Sequence, residues 1–261
     1  MKRKFIISGG GTGGHIFPAI SIANALKKRI PDAEILFVGA LGRMEMERVP
    51  AAGYPIEGLP VNGFDRKNML KNVKVLINLF RSILKARKII RTFKPDAAIG
   101  VGGYASAPTL RAASAFGVPT FLQEQNSYAG VTNKLLAKKA KRICVAYEGM
   151  EKFFAKEKFV LTGNHVRQDL VSLQPGTAEA YDFFKLDPSK KTILVVGGSL
   201  GARTINQSII AGLEQLAKTD IQMIWQTGKF YIEDARKAAE PFASPKLLVT
   251  DFVSRMDLAY S

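Results

Sequence analysis

Cysteine is nearly absent from this chain: Cys144 stands alone among 261 residues. One thiol cannot close an internal disulfide, so a disulfide-stapled secreted scaffold is excluded and a reducing compartment fits. Long apolar runs are missing as well. None approaches the roughly 18 residues that a membrane-spanning helix needs. The apolar stretch behind Met1-Lys2-Arg3-Lys4 is only a strand long, too short for a signal peptide. The expected location is the cytoplasm or the inner face of a membrane. Zinc-finger spacing, RNP motifs and helix-turn-helix signatures are absent, which argues against nucleic acid as a partner. Acidic residues are lacking from one long stretch. Residues 66–94 hold ten Lys or Arg and no Asp or Glu, and Lys134, Lys138, Lys139, Lys141 and Arg142 form a second basic cluster. A net charge of +16 distributed this way points to an anionic partner, either lipid or diphosphate.

What the chain does have is glycine behind apolar runs, three times over. Phe5-Ile6-Ile7-Ser8 leads into Gly9-Gly10-Gly11-Thr12-Gly13-Gly14-His15. Ala97-Ala98-Ile99 leads into Gly100-Val101-Gly102-Gly103-Tyr104. Ile193-Leu194-Val195-Val196 leads into Gly197-Gly198-Ser199-Leu200-Gly201-Ala202-Arg203. Each reads as a buried strand, a tight turn and a helix, where backbone N–H groups and the helix N-terminus favour an anion. One such cluster is weak evidence; three across two halves predict phosphate-rich ligands between two nucleotide-binding-like domains.

Strands are expected at 4–8, 34–38, 96–100, 119–122, 143–146, 159–161, 193–197, 221–226 and 247–250. Helices are expected at 14–29, 43–52, 71–92, 106–116, 130–140, 204–217 and 231–239. Their alternation is that of a parallel α/β sheet. The least regular stretch, 163–191, carries Gly163, Pro175, Gly176 and Pro188. It places a boundary at Gly163-Asn164, dividing the chain into domains 1–163 and 164–261. Only three strands follow, against about five or six in a doubly wound domain, so the second domain is expected to be incomplete.

Six segments carry candidate chemistry. His15 sits where the first strand gives way to the first helix; the helix dipole would keep it neutral, so it is either a proton acceptor near pH 7 or a cap on that helix. Gly102-Gly103-Tyr104 opposes it across the strand ends. Gln123-Glu124-Gln125-Asn126-Ser127 reaches the same face, with Glu124 placed to orient His15 or to accept a hydroxyl proton, and Asn126 to bond a sugar or phosphate. Arg167 at the boundary is a candidate diphosphate grip or a surface ion pair. Gly198, Ser199 and Gly201 form the expected phosphate cradle of the second half. The helix at 71–92 has two apolar stripes. Leu76, Leu79, Ile83, Ala86 and Ile90 are expected to face the core. Val73, Ile77, Phe80 and Leu84 lie beside them, flanked by Lys74, Arg81, Lys85 and Lys88. That second set either meets the headgroups of an anionic bilayer or packs under a loop.

Taken together, these motifs resemble a known family. Gly10-Gly11-Thr12-Gly13-Gly14-His15-Ile16-Phe17-Pro18, Gly102-Gly103-Tyr104, Glu124-Gln125-Asn126, Thr132-Asn133-Lys134, Gly163-Asn164 with Val166-Arg167, and Gly197-Gly198-Ser199 with Gly201-Ala202-Arg203 are similar, in this order, to glycosyltransferase family 28, the peptidoglycan N-acetylglucosaminyltransferases. The resemblance runs over essentially the whole chain. It implies a GT-B fold, two Rossmann-like doubly wound domains facing a cleft. It implies inverting transfer of GlcNAc from UDP-GlcNAc to the C4 hydroxyl of MurNAc in lipid I, giving lipid II, with no cofactor and no metal at the leaving group.

By the same resemblance His15 and Glu124 are the catalytic pair. Thr12, Gly13, Gly14, Gly102, Gly103, Tyr104 and Asn126 hold the acceptor. Thr12, Gly14, Asn126, Arg167, Ser199, Gly201, Phe252 and Val253 hold the donor. The first domain carries the membrane contact, through Ile77, Phe80, Leu84, Lys74, Arg81 and Lys85. The implied setting is peripheral, on the cytoplasmic face of the cell membrane, with UDP-GlcNAc, lipid I and anionic lipid as partners and cell-wall and division proteins as further candidates.

Two features depart from the family. His165 stands where the family has proline, beside the expected diphosphate grip. Past Phe252-Val253 the family continues into further diphosphate-, ribose- and donor-binding segments, which do not follow here. Weak donor binding and little or no transfer are therefore expected of this chain. Two alternatives remain: another lipid-directed GT-B enzyme, such as a diacylglycerol glycosyltransferase, or a fragment that binds membrane or lipid I without catalysis.

Overall fold

A computed structural model describes residues 2–63, 71–165, 173–198 and 200–261, with the backbone alone for Lys71, Asn72 and Lys74. The chain divides into two compact units, Met1–Arg167 and Gln168–Ser261.

In the first unit the strands are β1 (Lys4–Ser8), β2 (Glu34–Ala40), β3 (Ile56–Leu59), β4 (Ala97–Gly100), β5 (Thr120–Glu124), β6 (Arg142–Val145) and β7 (Phe159–Leu161). They form one parallel sheet in the order β3-β2-β1-β4-β5-β6-β7, with Ser8 level with Val38 on one side and Gly100 on the other. The helices are α1 (Gly13–Arg29), α2 (Glu45–Ala51), α3 (Lys71–Phe93), α4 (Ser106–Ala115) and α5 (Val131–Ala137).

Side chains alternate across each strand, and the two faces have separate cores. Ile6, Val38 and Leu59 pack with Ala86 and Ile90 of α3 and Ala113 of α4. Ile7 and Phe37 point the other way, to Ile16 and Ala23 of α1 and Val49 of α2. The result is three layers, with helices covering both faces as a parallel sheet requires. β1 and β4 are neighbours although two strands separate them in sequence. Strand order reverses between them, so the loops that leave these two strands border a crevice at the sheet's C-terminal edge.

The second unit has β8 (Thr192–Val196), β9 (Gln222–Gln226) and β10 (Leu247–Thr250), parallel and ordered β10-β9-β8. Its helices are α6 (Ala178–Phe184), α7 (Arg203–Ala217), α8 (Ile232–Ala239) and α9 (Met256–Tyr260). All five residues of the central strand β9 are buried. Trp225 and Met223 pack there against Leu213 of α7 and Ala235 and Ala239 of α8.

Two elements depart from the sequence expectation. β3, Ile-Glu-Gly-Leu, carries a glutamate and a glycine and shows only two buried positions, so it has no strand signature of its own; pairing with β2 makes it a strand. Helix α6 lies inside the stretch read as least regular. The Thr177 hydroxyl oxygen caps it, accepting from the Ala180 N–H at 3.3 Å, and Lys185 closes it at φ 55°. A helix of seven residues, set between Gly176 and Pro188, is too short for a periodicity to show.

Candidate functional site

Three loops meet at the switch point of the first sheet. They leave β1 at 9–12, β4 at 101–105 and β5 at 125–130. Gly103, at φ +84°, lies so close to the first loop that a Cβ there would run into the Gly10 carbonyl oxygen. A Cβ on Gly102, at φ +94°, would stand 2.8 Å from Cδ2 and Nε2 of His15. Glycine at these two positions both makes the turn and admits the imidazole. Buried Ser106 fixes the approach. Its Oγ lies 2.6 Å from the Ser8 carbonyl oxygen and 2.8 Å from that of Gly102, tying the β4 loop to the end of β1.

His15 occupies the first turn of α1, with Nδ1 3.1 Å from the Thr12 Oγ1. Burial lowers its pKa below the ordinary imidazole value, against the charges of Glu124 and Glu45, which raise it. The ring is thereby held neutral, the form a proton acceptor needs. The leading cause is burial, where the sequence had suggested the helix dipole.

Glu124 ends β5 and is 1% exposed. Its Oε1 accepts from the backbone N–H and the Nδ2 of Asn126, both at 3.0 Å. Its Oε2 accepts from the Gly130 N–H and the Asn133 Nδ2, both at 2.9 Å. Four donors occupy the carboxylate, so its direct effect is to hold the β5 loop against α5; on His15 it acts through charge. Gln123 Oε1 and Nε2, Gln125 Oε1 and Asn133 Oδ1 are buried here without partners. These atoms lie on β5, on its loop and on α5, and such unmet hydrogen-bonding capacity around one loop is what a hydroxyl-rich ligand can complete.

The other expected acceptor residues surround this point. Thr12 and Gly14 are exposed and Gly13 is half-buried at the start of α1. Tyr104 is half exposed, its ring against Gly63, and Asn126 is exposed at the loop tip.

The second unit builds its strand-end turn differently. Gly201, at φ +92°, lets the turn after β8 close against the Thr227 carbonyl and the Tyr231 ring. Buried Asn206 of α7 donates from Nδ2 to the Thr227 carbonyl at 2.8 Å and accepts from the Trp225 indole at 3.0 Å. Gln226 accepts at Oε1 from the Val253 N–H at 2.9 Å and so fixes the segment 252–253. Val253 is 3% exposed and Phe252 43% exposed, so the face this segment presents is the Phe252 side chain and main chain. Arg167 and Ser199 lie outside the described residues, as does the Lys74 side chain. A cavity of about 470 Å³ lies elsewhere in this unit, lined by Tyr181, Phe184, Leu194 and Tyr260; it holds none of the candidate catalytic, acceptor or donor residues.

The outer face of α3 is apolar and open. Val73, Leu76, Ile77, Phe80 and Leu84 are each at least half exposed. Leu76 was expected in the core; the buried stripe instead runs Val75, Ser82, Ala86, Ile89 and Ile90. It is displaced by one residue at the start of the helix, which turns Leu76 outward by about 100°. Arg81 is exposed on this helix, whereas Lys85 is held by Glu57 at 3.1 Å and the Gly58 carbonyl at 2.8 Å. No helix among the described residues is long and apolar enough to cross a membrane.

Sequence reasoning did not assign Glu45, Ser106 or Gln226 to a site, and it quoted Asn133 only within a motif. Asn133 carried a usable signal, an amide one helical turn before Ala137 on the inner side of α5. Glu45 carried none, since Met-Glu-Met-Glu does not tell a buried carboxylate from an exposed one.

The model of the glycosyltransferase family 28 N-terminal domain matches residues 5–145, and that of the C-terminal domain matches 192–261. The UDP-N-acetylglucosamine–N-acetylmuramyl-(pentapeptide) pyrophosphoryl-undecaprenol N-acetylglucosamine transferase of Phocaeicola vulgatus is 67% identical over 259 residues, covering 99% of this chain and 69% of that protein. The enzyme of the same name from Parabacteroides distasonis is 64% identical over 260 residues, covering 100% of this chain and 71% of that protein. Among solved structures, MurG of Acinetobacter baumannii superposes with a TM-score of 0.68 at 27% identity, covering 99% of this chain and 71% of that one. UDP-GlcNAc 2-epimerase of Neisseria meningitidis gives 0.67 at 15% identity over 100% of this chain and 74% of that one, a likeness of fold alone.

Proposed function

The chain belongs to glycosyltransferase family 28, and from that membership we infer that it transfers N-acetylglucosamine from UDP-GlcNAc to lipid I, giving lipid II for peptidoglycan synthesis. The observation that carries this is the identity of 67% over 259 residues to a transferase of that name. The fold does not choose between transferase and epimerase; the relationship in sequence does.

Within this reading His15 is the general base. With Thr12 Oγ1 accepting from Nδ1–H, the Nε2 lone pair is left for the acceptor. Nε2 takes the C4 hydroxyl proton as that oxygen attacks the anomeric carbon; the bond from that carbon to the diphosphate breaks and UDP leaves from the opposite face, with inversion. Tyr104, Asn126 and the glycine loops hold the acceptor. The α7 N-terminus behind Gly201, together with Arg167 and Ser199, receives the diphosphate, and Phe252 and Val253 border the uracil.

The α3 face supports a peripheral seat on the cytoplasmic side of the membrane. Its five exposed apolar side chains would enter the headgroup region, with Arg81 among the anionic lipids.

The test is a transfer assay with labelled UDP-GlcNAc at millimolar concentration, offering a lipid I analogue and diacylglycerol side by side. Label is expected in the diphosphate-linked lipid alone. Label in diacylglycerol would replace this reading with that of another lipid glycosyltransferase.

A further inference from the structure

We propose that Glu45 is a positioning residue for the His15 site, clamping the glycine loop after β1 to the end of β2 and so fixing where the imidazole stands. Its catalytic meaning rests on the transfer reading above; its structural content does not.

Four observations converge on this side chain. Glu45 is 1% exposed. Its Oε2 accepts from the Gly11 N–H at 2.9 Å, and its Oε1 accepts from the Ala40 N–H at 2.9 Å. One carboxylate thus joins the loop that precedes α1 to the last residue of β2. Both flanking glycines are shaped to it. A Cβ on Gly10 would run into the carboxylate, and a Cβ on Gly39 would stand 2.5 Å from Glu45 Cγ.

A buried carboxylate is costly unless hydrogen-bonded, so the loop and the strand end are obliged to keep these two donors in place. Thr12 follows the clamped Gly11 directly, and its carbonyl accepts the His15 N–H at 3.1 Å. The clamp therefore reaches His15 through three consecutive backbone positions and a helix start. It also reaches His15 through charge. The groups around the imidazole are Thr12 of its own loop, the Gly102 backbone from β4, Glu124 from β5, Asn133 from α5 and Glu45 from α2. Of the two carboxylates, Glu124 is occupied by the β5 loop, which leaves Glu45 as the one that grips the loop His15 grows from.

The experiment is an imidazole NMR titration of the whole chain, in which two histidines give two signals. In Glu45→Gln the charge is lost and one amide hydrogen faces a backbone N–H. The His15 midpoint should fall, because burial is then opposed by Glu124 alone, while His165 stays where it was. Gly39→Ala, which presses on the Glu45 Cγ from β2, should shift the Gly11 and Ala40 amides together with the His15 signal, and it serves if Glu45→Gln does not fold. In the transfer assay, run with the chain extended to the length of its relatives, Glu45→Gln should lower kcat roughly 10²-fold and leave the donor KM nearly unchanged. A folded Glu45→Gln or Gly39→Ala chain with an unmoved His15 signal overturns the proposal. The titration needs neither donor nor acceptor. A His15 that responds while diacylglycerol rather than the lipid I analogue is labelled therefore counts against the transferase reading and leaves the clamp standing.

Discussion

The two units brace their strand-end loops with different chemistry. In the first, the buried braces are carboxylates: Glu124 holds the β5 loop and Glu45 holds the β1 loop. In the second they are amides: Asn206 ties α7 to the end of β9, and Gln226 fixes the segment 252–253. Both kinds hold backbone: the carboxylates and Gln226 accept from backbone N–H groups, and Asn206 donates to the Thr227 carbonyl. They differ in the field they leave behind. Two carboxylates beside His15 oppose the effect of burial and favour the imidazolium that forms when the ring takes a proton. Neutral amides add no negative charge beside a turn proposed to receive a diphosphate. The units differ outside as well. α3 exposes a row of five large apolar side chains, whereas on α7 of the second unit Leu213, Ile209 and Ile210 turn into the core.

The sharpest way to break this contrast is to remove its centre. In a complete family enzyme His15→Ala should lower kcat roughly 10²–10⁴-fold, the usual range for a general base, with donor affinity nearly unchanged. Full turnover in this variant would leave the first unit's carboxylates without a catalytic partner. The pH profile bears on the same point. Because burial lowers the His15 pKa, the neutral ring persists below the ordinary value of about 6.5, and the acid limb of kcat should lie there. The folded state then binds fewer protons than the unfolded one just below that pH. This contribution to stability is complete above about 6.5 and declines as pH falls, levelling off below the folded pKa. Thermal melts between pH 8 and pH 5 should follow that course.

Next in size is the outer contrast. Replacing Ile77, Phe80 and Leu84 together with Ser should weaken binding to anionic vesicles by about 10²-fold, taking partial burial of side chains worth about 1.5–3 kcal/mol each when fully buried. Unchanged vesicle binding would separate this face from the membrane. Exchanging the braces comes third. Gln226→Glu puts a carboxylate into the amide-braced unit and should weaken UDP binding about tenfold at pH 8 and less at pH 5, where the new group takes up a proton. Calorimetry reads this directly, and equal affinities at both pH values would remove charge from the explanation. The smallest effect is that of Arg81→Gln. One exposed cation near lipid contributes about 1 kcal/mol, so vesicle affinity should fall several-fold at low salt and hardly at all in high salt.

Much of this was legible in the sequence, for reasons particular residues show. The apolar runs at 4–8 and 97–100 are strands because both faces of a parallel sheet are covered, and the glycines behind them mark the turns. The run at 193–196 is a strand as well, but it was expected to be buried and is not: β8 lies at the edge of its sheet and none of its five residues is buried. Gly102 and Gly103 lie against His15 and Gly10 as their place after β4 suggested. The braces were hidden. Glu45, Ser106 and Gln226 act across 34, 98 and 27 residues of sequence, and no local periodicity records a hydrogen bond of that span. β3 was hidden because its neighbour supplies its order, and the outward turn of Leu76 because two apolar stripes on one helix leave its rotation to be settled by packing.

The central claim is that the first unit hands a sugar hydroxyl to the donor's anomeric carbon through His15. The most direct test is mass spectrometry of the product formed from UDP-GlcNAc and a lipid I analogue by the chain extended to the length of its relatives and by the His15→Ala variant of that enzyme. The account predicts one added GlcNAc on the C4 hydroxyl of MurNAc, in inverted configuration, formed at least about 10²-fold more slowly by the variant. GlcNAc released as free sugar, attached at another hydroxyl, or transferred equally fast without His15 would contradict it.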